Sequence, residues 1–165
     1  MEPYYGKYRG TVTRVDDPER RGRVQVSVPA VFGMEGTHNW AEPCVPYAGE
    51  GVGFFAVPPV GATVWVEFEG GDPSYPIVAG AWWRREQAPP PAVPGVQVWK
   101  TDAITITLSD LRDEGGLTIE VGAPAVSVPM KLALTSAGIE LVIGDSRVRL
   151  TSASVSINNG ALEVV

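Results

Sequence analysis

Past residue 100 the chain contains no aromatic residue, and its aliphatic residues fall at alternate positions in short runs. These runs are Ile104/Ile106/Leu108, Leu117/Ile119/Val121, Val126/Val128, Leu132/Leu134, Ile139/Leu141/Ile143, Val148/Leu150, Val155/Ile157 and Leu162/Val164. Alternation with period two is the pattern of a strand that buries one face and solvates the other. Here the inward face is Val, Ile and Leu, and the outward face is Thr, Ser, Lys, Arg and Glu. The runs recur at short, regular intervals, with Gly138, Gly144-Asp145 and Asn158-Asn159-Gly160 supplying turn formers between them. Regular short strands predict a β-solenoid or β-helix.

Such inner side chains are too small and sparse for a lone chain to wrap into its own core against the entropy of ordering its backbone. A lone set of strands also leaves unpaired edges that invite aggregation. Three copies wound about one axis answer both problems: strands pair with neighbouring copies and the apolar faces meet in a dry centre too narrow for aromatic rings. Closed symmetry ends the assembly at a finite particle. The expected trimer interior is Ile104, Ile106, Leu108, Leu117, Ile119, Val121, Leu132, Leu134, Ile139, Leu141, Ile143, Val148, Leu150, Val155 and Ile157.

The first half differs in kind. All five tryptophans, five tyrosines and four phenylalanines lie at or before Trp99. Arg23-Val24-Gln25-Val26-Ser27-Val28 alternates with its valines inward, and Thr63 to Glu69 repeats the pattern with Val64, Val66 and Phe68. Thr11 to Val15, Cys44 to Tyr47 and Tyr75 to Trp83 are three further expected strands. Asp16-Asp17-Pro18, Pro58-Pro59 and Gly70-Gly71-Asp72-Pro73 separate them with turn chemistry. Five short strands without helical periodicity predict a small Greek-key barrel of OB-fold size. The proline-rich stretch of residues 87–99 reads as a stiff spacer. The expected architecture is therefore all-β: an OB-fold collar over 1–86, a linker over 87–99 and an intertwined trimeric β-helix needle over 100–165.

Composition narrows the function. A net charge of −6 disfavours a phosphate-backbone binder, and Arg20, Arg21 and Arg23 stand among Asp16, Asp17 and Glu19 as a solvated turn. A single cysteine excludes an internal disulfide framework, and Cys44 in its apolar run reads as a buried, inert thiol. The N-terminal residues lack the blocks of a signal peptide and no apolar run is long enough to span a bilayer, so synthesis in the bacterial cytoplasm is expected. His38 with Cys44 offers no more than a loop histidine near a thiol. Glu67 and Glu69 read as solvent-facing strand carboxylates and not as a glycosidase pair. Gly49, Gly51 and Gly53 lack the strand-then-helix context of a phosphate loop. Phe54-Phe55 and Trp82-Trp83 could stack bases or sugars, but core and contact roles suit the acidic balance better. No catalytic, cofactor or metal site is expected. An OB-type module binding nucleic acid or oligosaccharide on a trimeric stalk is the alternative. A polysaccharide-cleaving β-helix is disfavoured because residues 100–165 offer no aromatic platform.

Gly6-Lys7-Tyr8-Arg9-Gly10-Thr11-Val12, Asp17-Pro18-Glu19, Trp40-Ala41-Glu42-Pro43-Cys44-Val45-Pro46-Tyr47, Gly53 to Gly61, Val64 to Pro73 and Gly80-Ala81-Trp82-Trp83 stand in collinear order. Together they resemble the OB domain of phage baseplate central spikes (baseplate assembly protein V) and of VgrG-type spikes of contractile injection systems. The needle half resembles that family by architecture more than by motif. The resemblance implies a homotrimeric, non-enzymatic spike that caps the tube, pierces the target envelope and touches the target membrane only during puncture, without nucleic acid. It implies assembly into a phage tail baseplate or phage-tail-like particle. With the OB match near residue 1, a separate hub protein is expected at the OB end. His38 is the only histidine, so no apical metal site is expected. Because Leu162, Val164 and Val165 continue the apolar rhythm, a PAAR-type tip protein is expected to bind them.

Overall fold

The computed structural model describes residues 3–33 and 39–164. It divides into two compact units between Gln87 and Ala88.

The first unit is a closed barrel. Its elements are β1 (Tyr8–Arg14), β2 (Val24–Ser27), the single-turn α1 (Pro29–Phe32), β3 (Trp40–Pro43), a small hairpin of β4 (Ala48–Gly49) and β5 (Val52–Gly53), β6 (Thr63–Phe68) and β7 (Pro76–Ala81). The barrel order is β1-β2-β3-β7-β6, closed by antiparallel pairing of β1 with β6. β3 and β7 pair in parallel, Glu42 opposite Ile77 and Pro43 opposite Val78. This is the small five-stranded barrel expected of an OB fold.

Alternation builds its core. Val12, Val24, Val26, Val28, Ala41, Val64, Val66 and Phe68 are buried together. The ring of Phe68 meets Tyr8 at 5.6 Å, Phe32 at 5.8 Å and Tyr4 at 6.2 Å between centroids, offset or edge-on contacts that suit aromatic quadrupoles. Gly10 is buried where β1 crosses this core: a Cβ there would stand 2.8 Å from the Val66 side chain. The expected strand at Cys44 to Tyr47 is instead Trp40–Pro43, one step earlier. Pro43 precedes that segment and Pro46 lies within it, and neither can donate to a ladder; Cys44 ends the pairing by donating its N–H to the Val78 carbonyl at 3.0 Å.

The second unit is one eight-stranded sheet: β8 (Val96–Lys100), β9 (Ile104–Ser109), β10 (Gly116–Val121), β11 (Met130–Thr135), β12 (Gly138–Ile143), β13 (Ser146–Leu150), β14 (Val155–Ile157) and β15 (Leu162–Val164). Every strand pairs antiparallel with the next in the chain. The strand pairing expected between copies is thus supplied largely within one chain, by hairpins. Residues 96–99, expected as the end of the spacer, belong to β8. Val126 and Val128, expected as a strand, lie in the loop between β10 and β11, where Pro124 and Pro129 remove ladder donors.

Glycines hold the hairpins in register. A Cβ at Gly116 would lie 2.1 Å from the Leu134 carbonyl oxygen, and one at Gly138 2.0 Å from that of Leu150. Gly138 also has φ near +116°, a region closed to other residues without strain. Gly138→Ala is expected to cost at least about 3 kcal/mol by combining steric overlap with backbone strain. Gly122→Ala, with open space at its Cβ, is expected to leave stability nearly unchanged. Thermal melts of the two variants check the contrast.

Candidate functional site

Side chains directly opposite one another in an antiparallel pair project from the same face, so the register of the second sheet defines columns. One column runs Trp99, Ile106, Ile119, Leu132, Leu141, Val148, Ile157, Leu162. The next runs Gln97, Leu108, Leu117, Leu134, Ile139, Leu150, Val155, Val164. A third, shorter column runs Ile104, Val121, Met130, Ile143, Ser146. The register therefore places all fifteen residues expected in the trimer interior on one face of one sheet. Leu162 and Val164, expected at a tip contact, close two of the same columns on β15; Val165 lies outside the described residues.

The opposite face is largely polar, with Val96, Val98, Ala133 and Val142 among its charged and hydroxyl residues. Glu120 stands opposite Lys131 and pairs with it at 3.3 Å, and Arg147 reaches Glu140 at 3.2 Å. Exposed pairs of this kind contribute little to stability but keep the face wet.

On β12 and β14 solvent exposure runs opposite to polarity, whereas on β10 Glu120 and on β13 Arg147 and Arg149 are exposed beside half-buried Ile119 and Val148. On β12, Ile139, Leu141 and Ile143 are exposed while Glu140 and Val142 between them are half-buried; on β14, Val155 and Ile157 are exposed and Ser156 is half-buried. Ile143 is 52% exposed. Large contiguous apolar surface of this kind marks an interaction site. Met130 and Trp99 were not among the expected interior residues. Met130 was legible from its parity with Leu132 and Leu134. Trp99 was not, because in Val96-Gln97-Val98-Trp99 the alternation alone favours the valines as the apolar face.

In the barrel unit the Asp16–Arg23 turn is more than a solvated charge cluster. Asp17 is 3% exposed in its side chain and Arg23 11%. Arg23 donates to the Asp17 carboxylate through Nε at 3.1 Å and Nη2 at 2.7 Å. The backbone N–H groups of Glu19, Arg21 and Arg23 also donate to it, at 3.0, 2.7 and 3.3 Å. The Arg23 guanidinium, aided by these N–H donors, holds the Asp17 carboxyl well below the usual carboxylate range.

Other expectations are corrected by exposure. Cys44 is exposed, because the chain leaves the barrel at Pro43. Phe55 is 73% exposed and Trp83 67%, so neither is a core residue. Phe54 and Phe55 line, with Arg21, Glu42, Tyr47 and Val52, an open groove of about 680 Å³ beside the β4–β5 hairpin. Trp82 lies under Arg9, whose guanidinium is 4.7 Å from its ring. Glu67 pairs with Lys7 at 2.6 Å, and Glu69 opens a single 3₁₀ turn, so the two do not form a carboxylate pair on one strand. Gly49, Gly51 and Gly53 shape the β4–β5 hairpin. His38 lies outside the described residues.

The depressed Asp17 carboxyl has a definite pH signature. Its stabilising contribution is complete above an unfolded-state value of about 4 and is lost as pH falls toward the lower folded value. Asp17→Asn is therefore expected to melt at lower temperature than the parent at pH 7. The gap should narrow steadily below pH 4, as followed by melting curves across that range.

Comparison with known proteins places both units. Residues 8–83 match the family described as the type VI secretion system/phage-baseplate injector OB domain, and residues 96–163 the phage baseplate V C-terminal trimerisation domain. The chain is 34% identical over 79 residues to the actin cross-linking toxin VgrG1 of Vibrio cholerae, a match covering 46% of this chain and 7% of that protein. It is 34% identical over 85 residues to the type VI secretion system spike protein VgrG2a of Pseudomonas aeruginosa, covering 48% of this chain and 10% of that one. VgrG2b of the same organism matches equally over 85 residues and 8% of its length. The chain thus spans a tenth or less of these curated relatives.

Proposed function

Because the chain belongs to the phage baseplate V and VgrG-type spike family and carries both its OB and its trimerisation domain, we propose that it is the central spike of a contractile injection machine. In this reading three copies form a needle that caps the tube and is driven through the target envelope. The observation that carries the reading is the aliphatic face of the second sheet, three columns wide and half-buried to exposed in the single chain.

Three such sheets, set as the walls of a prism with their aliphatic faces inward, bury every column against two neighbours. The charged outer faces stay in water. Side chains from Val, Ile and Leu fill a narrow axial interior, and no cofactor or catalytic group is needed for the work. Interior burial at about 25 cal/mol per Å² of apolar surface then stabilises a form that no isolated copy reaches.

The barrel serves as the collar. Tyr47, Phe54 and Phe55 around the hairpin groove, with Arg21 and Glu42 at its rim, offer the aromatic and charged mixture common at protein contacts, and we assign them to docking on a baseplate hub protein. At one edge of the second sheet, β15 pairs only with β14 among the described strands. Its outer edge and the Leu162 and Val164 side chains suit a tip protein of the PAAR type. The same aromatic groove is where an oligosaccharide or single strand would bind if the barrel were a ligand-binding module.

Light scattering after size exclusion tests the reading. The expected particle is about three times the 17.6 kDa chain. Leu141→Glu places a carboxylate in the middle of the longest column; desolvating three of them costs several kcal/mol per ion, so this variant is expected to lose the trimer. A parent protein that runs as a folded monomer would refute the spike assignment and leave the ligand-binding barrel.

A further inference from the structure

Between Ser146 and Leu162 the chain carries Arg147 and Arg149 and no acidic residue. Both arginines project from the polar face of β13, and with Thr151, Ser154, Ser156 and Asn159 they line a cavity of about 210 Å³ within the second unit. We propose that this cavity binds one phosphate-class oxyanion, either free phosphate or the phosphate monoester of a lipid headgroup.

Three observations support it. First, every lining side chain carries a hydrogen-bond donor and none carries a carboxylate. Second, the cavity holds more positive charge than its neighbours neutralise. Glu140 stands opposite Arg149 in the register, yet its carboxylate pairs with Arg147 at 3.2 Å. The Arg149 guanidinium is exposed and takes no ion pair or hydrogen bond among the described residues. In the same row of the sheet Ser156 separates Arg149 from Glu163, which puts the two backbones about 10 Å apart at ordinary strand spacing. Third, neutral donors stand ready beside that free guanidinium. Ser154 and Ser156 are half-buried, and their hydroxyls have no partner among the described residues. The Thr151 hydroxyl, by contrast, is engaged in its own turn, where it accepts the Ser154 N–H at 3.0 Å.

The donor set selects the ligand. A phosphate monoester near neutral pH carries close to two negative charges and three strong acceptor oxygens. The planar fork of Arg149 can take two of those oxygens, and the serine hydroxyls can donate to the third. A carboxylate has two oxygens and one charge, so Arg149 alone would satisfy it and the hydroxyls would go unmatched. The chain's net charge of −6 repels an extended polyanion, but a single phosphate meets only this local surplus of donors. The site is complete within one chain, so it stands or falls independently of the spike reading.

The test uses the full chain in two arms. One is calorimetric titration with inorganic phosphate at constant ionic strength. The other is sedimentation with vesicles of phosphatidic acid in phosphatidylcholine, against phosphatidylcholine alone. Saturable binding is expected in at least one arm. Arg149→Gln is expected to weaken it at least about tenfold, the equivalent of one charge-assisted contact. Ser156→Ala probes the same cavity without a change of charge and is expected to weaken it several-fold. Arg112→Gln removes the same charge from the β9–β10 loop, outside the cavity, and is expected to leave binding unchanged. Saturation by inorganic phosphate supports the site and identifies the free anion. Retention on phosphatidic acid vesicles alone supports it and identifies the headgroup. No binding in either arm, or equal loss with Arg112→Gln and Arg149→Gln, overturns it. Light scattering on the same samples keeps the two proposals apart, because a monomer that binds phosphate refutes the spike and leaves the site standing.

Discussion

Everything the second unit can do depends on its strands stacking without a slip. Because side chains alternate with period two, a shift of one residue in any hairpin would send the rest of the aliphatic set to the polar face. From β9 to β15 no such shift occurs: Ile106, Ile119, Leu132, Leu141, Val148, Ile157 and Leu162 stand opposite one another in unbroken order. Two devices enforce this. Aliphatic residues on one face and ion pairs such as Glu120–Lys131 on the other make the correct register the one that satisfies both. Turns do the rest. Gly116 and Gly138 sit where a Cβ would strike a neighbouring carbonyl. Asn158, in the left-handed region, takes the Arg147 N–H on its side-chain oxygen at 2.9 Å and returns its own N–H to the Arg147 carbonyl at 2.8 Å.

The two units solve the problem of burial in opposite ways. The barrel closes on itself, so β1 and β6 abolish the sheet edge and the valines of three strands, β1, β2 and β6, vanish into one core. It needs no second copy to be dry. The eight-stranded sheet has two open edges and one uncovered aliphatic face, and Ala133 is the only hydrophobic residue among its described strands that is buried. A unit of this kind gains most of its stability on association, so folding and assembly are coupled. The sheet, not the barrel, then carries the oligomer.

Strand alternation made most of this architecture legible in the sequence. Arg23 to Val28 and Thr63 to Phe68 show their inward residues outright, and the aliphatic pairs after residue 104 show theirs. Elsewhere local pattern was overridden by geometry that only closure reveals. Trp40–Pro43 carries no alternating valines, yet it is the strand that joins β2 to β7 in the barrel. Val126 and Val128 alternate but are bracketed by prolines and do not pair. The aromatic boundary at Trp99 suggested the end of the first half. Trp99 in fact belongs to the first strand of the second, because a proline-rich run ends at Pro94 and pairing resumes at Val96. Charge was harder still. Nothing in Asp16-Asp17-Pro18-Glu19 distinguishes the one carboxylate that is buried and bonded to Arg23 from its solvated neighbours. That distinction requires the turn to bring three backbone N–H groups and a guanidinium to one side of Asp17.

The dimensions of the sheet follow from the same stacking and bear on mechanical work. Eight strands spaced about 4.8 Å apart make a wall roughly 34 Å tall along the hydrogen-bonding direction. Six-residue strands span about 20 Å across that wall and three-residue strands about 10 Å, and the strand lengths fall from six residues in β9 to β12 to three in β14 and β15. The third aliphatic column ends before them, where Ile143 of β12 stands opposite Ser146 of β13. Three such walls around one axis would therefore taper toward β15. Load along the stack would pass through hydrogen-bonded ladders on all three walls, while the interdigitated aliphatic columns keep the walls from sliding. In the proposed spike, a shape that narrows without losing its register would suit entering an envelope point first. The same rules that place a leucine inward on every second residue thus also set where three such walls would be widest and where they would narrow.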